Sequence, residues 1–195
     1  ATIIWVMPLA VVSFILGGAI HNDVAMDAAA IWLHVASGTS GEADRRGRLI
    51  PVLVLGLPLI IVGSTLSTLL MGDWRPLPAV SGISVSLLWS GAGVSSLTSA
   101  RWPYPTSRPG ESLFIQPQFI GYGAARIQIL SVLTTLALSA PALVTGFVGI
   151  ALQSLPLQLA SLLLGVSIGM LALVFGTRWG STSFDREAPD LIALN

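Results

Sequence analysis

Between Arg126 and Arg178 the chain runs for 51 residues without a charged side chain. A helix crossing the hydrocarbon core of a bilayer needs about 20 mostly apolar residues. The run is therefore too long for one crossing and sufficient for two. Gln153-Ser154-Leu155-Pro156 supplies the turn between them, giving spans over 127–152 and 157–177. Three more stretches meet the same test: 2–20, then 49–71 between Arg48 and Asp73, then 79–100 between Arg75 and Arg101. Only 9% of the residues are charged and the mean hydropathy is +0.83, whereas a soluble domain carries about 25% charged residues. The sequence predicts an all-α, polytopic integral membrane protein. It has about five transmembrane helices plus one amphipathic interfacial helix, in a single transmembrane domain over 1–195.

The arginines give these crossings a direction. Alternating the connections from side to side places Arg45, Arg46, Arg48, Arg101, Arg108, Arg126, Arg178 and Arg186 on one side and Arg75 alone on the other. Loops rich in Arg and Lys stay in the cytoplasm. The loops 21–48 and 101–126 and the tail 178–195 are expected inside a plasma membrane, with the N-terminal end outside. Trp5 and Trp74 then fall at the outer boundary, and Trp102, Tyr104 and Trp179 at the inner one, where such amphipathic rings collect. Trp89 is mid-span and reads as packing.

The residue inventory excludes several function classes. All nine basic residues are arginines. A phosphate-binding P-loop needs a Lys after its glycines, so this chain holds no ATP site of that type and no cofactor of its own is expected. The net charge is zero, which leaves no electrostatic footprint for nucleic acid. There is no Cys and only His21 and His34, so neither a metal site nor a catalytic residue is predicted. The spans contain no Asp, Glu, Lys, Arg or His. Such groups mark proton relays and ion pathways, and their absence argues against a proton-coupled transporter and an intramembrane enzyme.

The most informative segment lies between spans, over 21–48. Asn22 or Asp23 can cap a helix start and Gly38 can end it. Over 24–37, Asp27, Ala30, His34 and Ser37 share one face with Asp23, while Val24, Ala28, Ile31, Trp32 and Val35 share the other. That pattern predicts a helix lying along the membrane surface, followed by a basic cluster of Arg45, Arg46 and Arg48. The segment reads either as an interfacial anchor with positive-inside arginines or as a docking surface for a cytoplasmic partner, with Asp27, Trp32, His34, Arg45, Arg46 and Arg48 as candidate coupling residues. Two stripes of small residues, Gly82/Ser86/Ser90 and Ser161/Gly165/Gly169, recur four apart and let helices approach closely in lipid. They serve either packing within one bundle or an interface with a second subunit.

The stretches Asp27-Ala-Ala-Ala-Ile-Trp-Leu-His-Val-Ala-Ser-Gly and Ala43-Asp-Arg-Arg-Gly-Arg-Leu, with Ser99-Ala-Arg-Trp-Pro-Tyr-Pro further on, resemble permeases of type-2 ABC exporters, in an actinobacterial-type branch. In that family an amphipathic coupling helix follows the second span, and a Gly-basic element, here Gly47-Arg48, opens the third. Gly38 stands where Pro is frequent, and the connection between the last two spans is shorter than in many relatives. The resemblance covers roughly residues 15–125. It implies that this chain supplies the second to sixth of six spans, as a fragment of a longer permease. It also implies that the permease pairs with a second half (the same or a related chain), docks on cytoplasmic ATPase subunits that carry ATP and Mg, and moves a hydrophobic or amphipathic substrate outward. The alternative is a non-transporting structural or assembly subunit of a larger membrane complex. In either case lipid surrounds the chain.

Overall fold

The computed structural model describes residues 2–27, 33, 36–104 and 122–193. Among them the chain is helical throughout. A short 3-10 turn, Thr2–Trp5, leads into α1 (Met7–Gly17). The single turn α2 (Asp23–Met26) follows, and then come four long helices: α3 (Gly41–Met71), α4 (Leu77–Arg101), α5 (Tyr122–Ala151) and α6 (Leu155–Ala193). The four long helices are long and apolar enough to cross a membrane. The protein is therefore an α-helical membrane protein.

The largest differences between element boundaries and the expected spans fall in three places, each for a physical reason. The first apolar segment, expected over 2–20, forms a helix of only 11 residues, about 16 Å long at 1.5 Å per residue and short of the roughly 30 Å core. Helix α3 starts eight residues before Leu49, because Ser40 caps it: the Ser40 hydroxyl accepts from the Ala43 amide at 3.3 Å. Helix α6 runs on past Thr177 to Ala193, with no Gly-Pro breaker near the membrane boundary to stop it. The turn expected around Gln153 is present. Gln153 takes a positive φ of 53°, Ser154 N–H donates to Gly149 O at 2.9 Å, and Pro156 falls in the first turn of α6, where its missing N–H costs nothing. Gly72, at φ 71°, ends α3 in the left-handed conformation that glycine adopts without strain.

Helix α4 is the hub. In its most apolar window 72% of residues are buried, against 28%, 17% and 22% for α3, α5 and α6, so the others are arrayed around it and turn their outer faces to lipid. Leu55, Ile61 and Leu69 of α3, Leu130 and Val144 of α5, and Leu163 and Leu171 of α6 are all exposed. The small-residue stripes explain the arrangement. Gly82 of α4 lies against Ser161, Leu162 and Gly165 of α6, where a Cβ on Gly82 would come within 2.6 Å of the Leu162 Cα. The same seam continues through Gly93, Gly176 and Gly180, and Gly169 packs on Trp89 and Ser86. The two expected stripes thus meet one another inside one bundle. Ser90 is fully buried as well.

Candidate functional site

One end of the bundle gathers charge. Asp23 and Asp27 come from α2 and its C-cap, and Asp44, Arg45 and Arg48 come from the first two turns of α3. Arg45 has no exposed surface; it donates from Nε to Asp44 at 2.8 Å and from Nη1 to Asp23 at 3.4 Å. Arg48 reaches across three carboxylates. Its Nε and Nη2 donate to Asp44 at 3.0–3.1 Å, its Nη1 lies 3.3 Å from Asp23, and its Nη2 pairs with Asp27. The group sets three carboxylates against two guanidiniums. The Asp44–Arg48 pair has i,i+4 helical spacing, and Asp44 and Arg45 are neighbours in sequence; the contacts to Asp23 and Asp27 are long-range.

The cluster also ties helix ends together. Asp23 accepts from the Ser99 hydroxyl on α4, and that hydroxyl accepts from the Val24 amide at 3.1 Å. The guanidinium of Arg45 sits 5.6 Å above the Phe184 ring of α6, a cation–π distance. Phe184, Val24 and Ala100 form a buried apolar floor beneath. On α6, Asp185 accepts from the Gly41 amide at 2.6 Å, satisfying one unpaired donor at the start of α3. Asn22, almost fully buried, clamps the backbone of Tyr104: its Nδ2 donates to Tyr104 O at 2.9 Å and its Oδ1 accepts from Tyr104 N–H at 3.1 Å. Asn22 thus precedes α2 without capping it through its side chain.

Asp44 lies ahead of the uncharged span that begins at Leu49. Burial alone would raise its pKa, but hydrogen bonds and charge from Arg48 and Arg45 outweigh burial and hold it below the usual carboxylate range. Asp44 and Arg48 therefore both keep their charge near neutrality, and the group forms an ionic joint at this end of the bundle.

The expected coupling residues separate into three sets. Arg45, Arg48 and Asp27 belong to the joint. Arg45 in particular is buried rather than offered to a partner, because Asp44, Asp23 and Phe184 enclose it. Arg46 is exposed and pairs with Glu42 at 2.5 Å. Trp32 and His34 lie outside the described residues, as does half of the expected helix over 24–37. The contributions of Asn22, Ser99, Phe184 and Asp185 were not expected from sequence. Among the described residues no cluster of His, Asp and Glu is arranged to hold a metal ion.

Among the described residues, a groove and a smaller cavity lie beside the helices. The groove, of about 810 Å³, lies between α3 and α6 beside the joint. The other, of about 250 Å³, lies between α1, α4 and α5, with Phe14, Ser95 and Thr135 among its walls. Comparison of the chain with protein-family models, with curated proteins and with solved structures finds no match.

Proposed function

We propose that the chain is the membrane-spanning component of an ATP-driven exporter, coupled through the segment before α3 to a separate ATPase subunit on the cytoplasmic side. The observation that carries this reading is the ionic joint. The three motif stretches of the exporter resemblance, around Asp27, around Arg45–Arg48 and around Ser99–Tyr104, meet in it. A displacement of the segment before α3 would reach α3, α4 and α6 together, since all three are bonded there. In this reading the joint transmits force, while the docking contact falls to exposed Arg46 and Glu42 and to the stretch containing Trp32 and His34. The positive-inside distribution of arginines supports a cytoplasmic position for that end, in a plasma membrane. The apolar, charge-free spans favour a hydrophobic or amphipathic cargo moved at an interface with a second permease half.

The alternative, a structural or assembly subunit, draws on the enclosure of α4, whose surface is spent on its own neighbours. Co-purification decides between them. Extraction in mild detergent is expected to bring along an ATP-hydrolysing subunit whose turnover rises in reconstituted vesicles containing this chain. Trp32→Asp and the exposed double reversal Glu42→Arg/Arg46→Glu should lower that stimulation at unchanged folded yield. A chain that purifies without any ATPase subunit, or variants with full stimulation, would overturn the exporter reading.

A further inference from the structure

The groove between α3 and α6 carries an ordered polarity that repeats on both of its walls. On α3, reading from the membrane outward, Leu53 and Leu49 are followed by Arg46 and then Glu42; on α6, Leu173 and Val174 are followed by Arg178 and then Asp185. The helices run in opposite directions, since Gly41 at the start of α3 touches Ser181 and Asp185 late in α6. Two antiparallel walls therefore present one sequence of chemistries: apolar, cationic, anionic. The spacings are helical, with Glu42, Arg46, Leu49 and Leu53 on one face, and Val174, Arg178, Ser181 and Asp185 on the other. Exposed Trp179, beside Arg178, marks the headgroup level. The cation–anion step rises about 6 Å on α3 and about 10 Å on α6.

We infer that this groove is a binding site for an aminophospholipid of the ethanolamine type. Such a lipid presents the complementary order from bilayer centre to water: acyl chain, phosphate, ammonium. The acyl chain would lie along Leu53, Leu49, Leu173 and Val174. The phosphate would accept hydrogen bonds from the Arg46 and Arg178 guanidiniums, whose planar forks suit phosphate oxygens. The primary ammonium, with three donors, would reach Glu42 and Asp185. The groove's formal charges cancel, so a zwitterion fits where a purely anionic headgroup would leave the two carboxylates facing negative charge. The volume of about 810 Å³ is within the range of small-molecule sites. This inference does not require the exporter reading, with which it shares Arg46 and Glu42, and it is tested without any ATPase, through Arg178, Asp185 and Leu53 as well.

The full chain is reconstituted into nanodiscs holding equal amounts of phosphatidylethanolamine, phosphatidylcholine and phosphatidylglycerol with matched acyl chains. It is then re-extracted, and the lipid retained per chain is measured by native mass spectrometry. Phosphatidylethanolamine is expected to exceed the other two. Arg178→Gln should lower its retention about fivefold, the effect of one interfacial arginine. Glu42→Gln/Asp185→Asn should bring phosphatidylcholine level with phosphatidylethanolamine, and Leu53→Trp, at the apolar end, should lower retention of all three. Arg75→Gln, at the opposite end of the bundle, should change nothing. Equal retention of the three lipids, a lead for phosphatidylglycerol, unaltered retention in both Arg178→Gln and Leu53→Trp, or loss of bound lipid to excess soluble phosphoethanolamine would overturn the proposal.

Discussion

Arg45 and Arg46 are neighbours in sequence with opposite surroundings, and the difference sets what each substitution costs. Arg45 is enclosed with Asp44 and Asp23, so Arg45→Met removes one of two cations and leaves both carboxylates, with Asp27, to Arg48 alone. Breaking one partner of a buried ion pair costs about 3–5 kcal/mol. Arg46 makes an exposed i,i+4 pair with Glu42, and such pairs contribute about 0.3–0.5 kcal/mol. Thermal unfolding in detergent should therefore show a large fall for Arg45→Met and almost none for Arg46→Gln; equal falls would place the two side chains in the same environment. The sequence shows why this was hard to read. Arg45, Arg46 and Arg48 stand in one basic run; Glu42–Arg46 and Asp44–Arg48 carry the i,i+4 spacing that signals a pair, and Arg45 has no such partner. The partners that bury Arg45 lie 22 residues upstream, at Asp23, and on α6, at Phe184, where no sequence rule connects them.

At the scale of elements, the seam between α4 and α6 is the tightest helix contact among the described residues. Gly165 lies directly on the Gly82 backbone, and any Cβ there meets the Gly82 carbonyl. Gly165→Leu must push the helices apart, at a cost of about 1–3 kcal/mol or more. Ser90→Ala, which removes a hydroxyl that has no hydrogen-bond partner in the bundle, should leave stability within about 0.5 kcal/mol. Comparing the two by midpoint of unfolding in mixed micelles checks the seam; a tolerated Gly165→Leu would show that α6 does not pack there. These stripes were legible in the sequence because small residues four apart have one geometric meaning in lipid. Which helix each stripe would meet was not legible, since spacing along one helix carries no information about its partner.

At the scale of the whole molecule, the crossings were legible and their hub was not. The length of each uncharged run decides whether it can span, and that is a property of sequence alone. The central position of α4 depends on what surrounds it. Its one local sign is a mean hydropathy of 1.4, the lowest of the four long helices, which follows from its many Ser and Gly residues. The direction of the chain remains open to a direct measurement. The protein has no Cys, so single replacements report cleanly. In intact cells, Asp73→Cys and Ser154→Cys should react with a membrane-impermeant maleimide, while Arg46→Cys and Thr182→Cys should react only after permeabilisation. The opposite pattern would reverse the orientation drawn from the arginines.

The enclosure of α4 also governs how the protein is made. Its most intimate partner, α6, is translated more than 50 residues later. At ribosomal rates of about 5–20 residues per second, that gap lasts on the order of several seconds. During that time the hydroxyl-rich face of α4 stands in the bilayer without the helix that will cover it. The preceding hairpin arm α3, α1 through the close approach of Gly17 to Leu88 and Gly91, and later α5 through Gly146 and Ile83 cover its other faces meanwhile. Biogenesis therefore has a vulnerable interval built into the order of the helices, and the least apolar span is the one that has to wait.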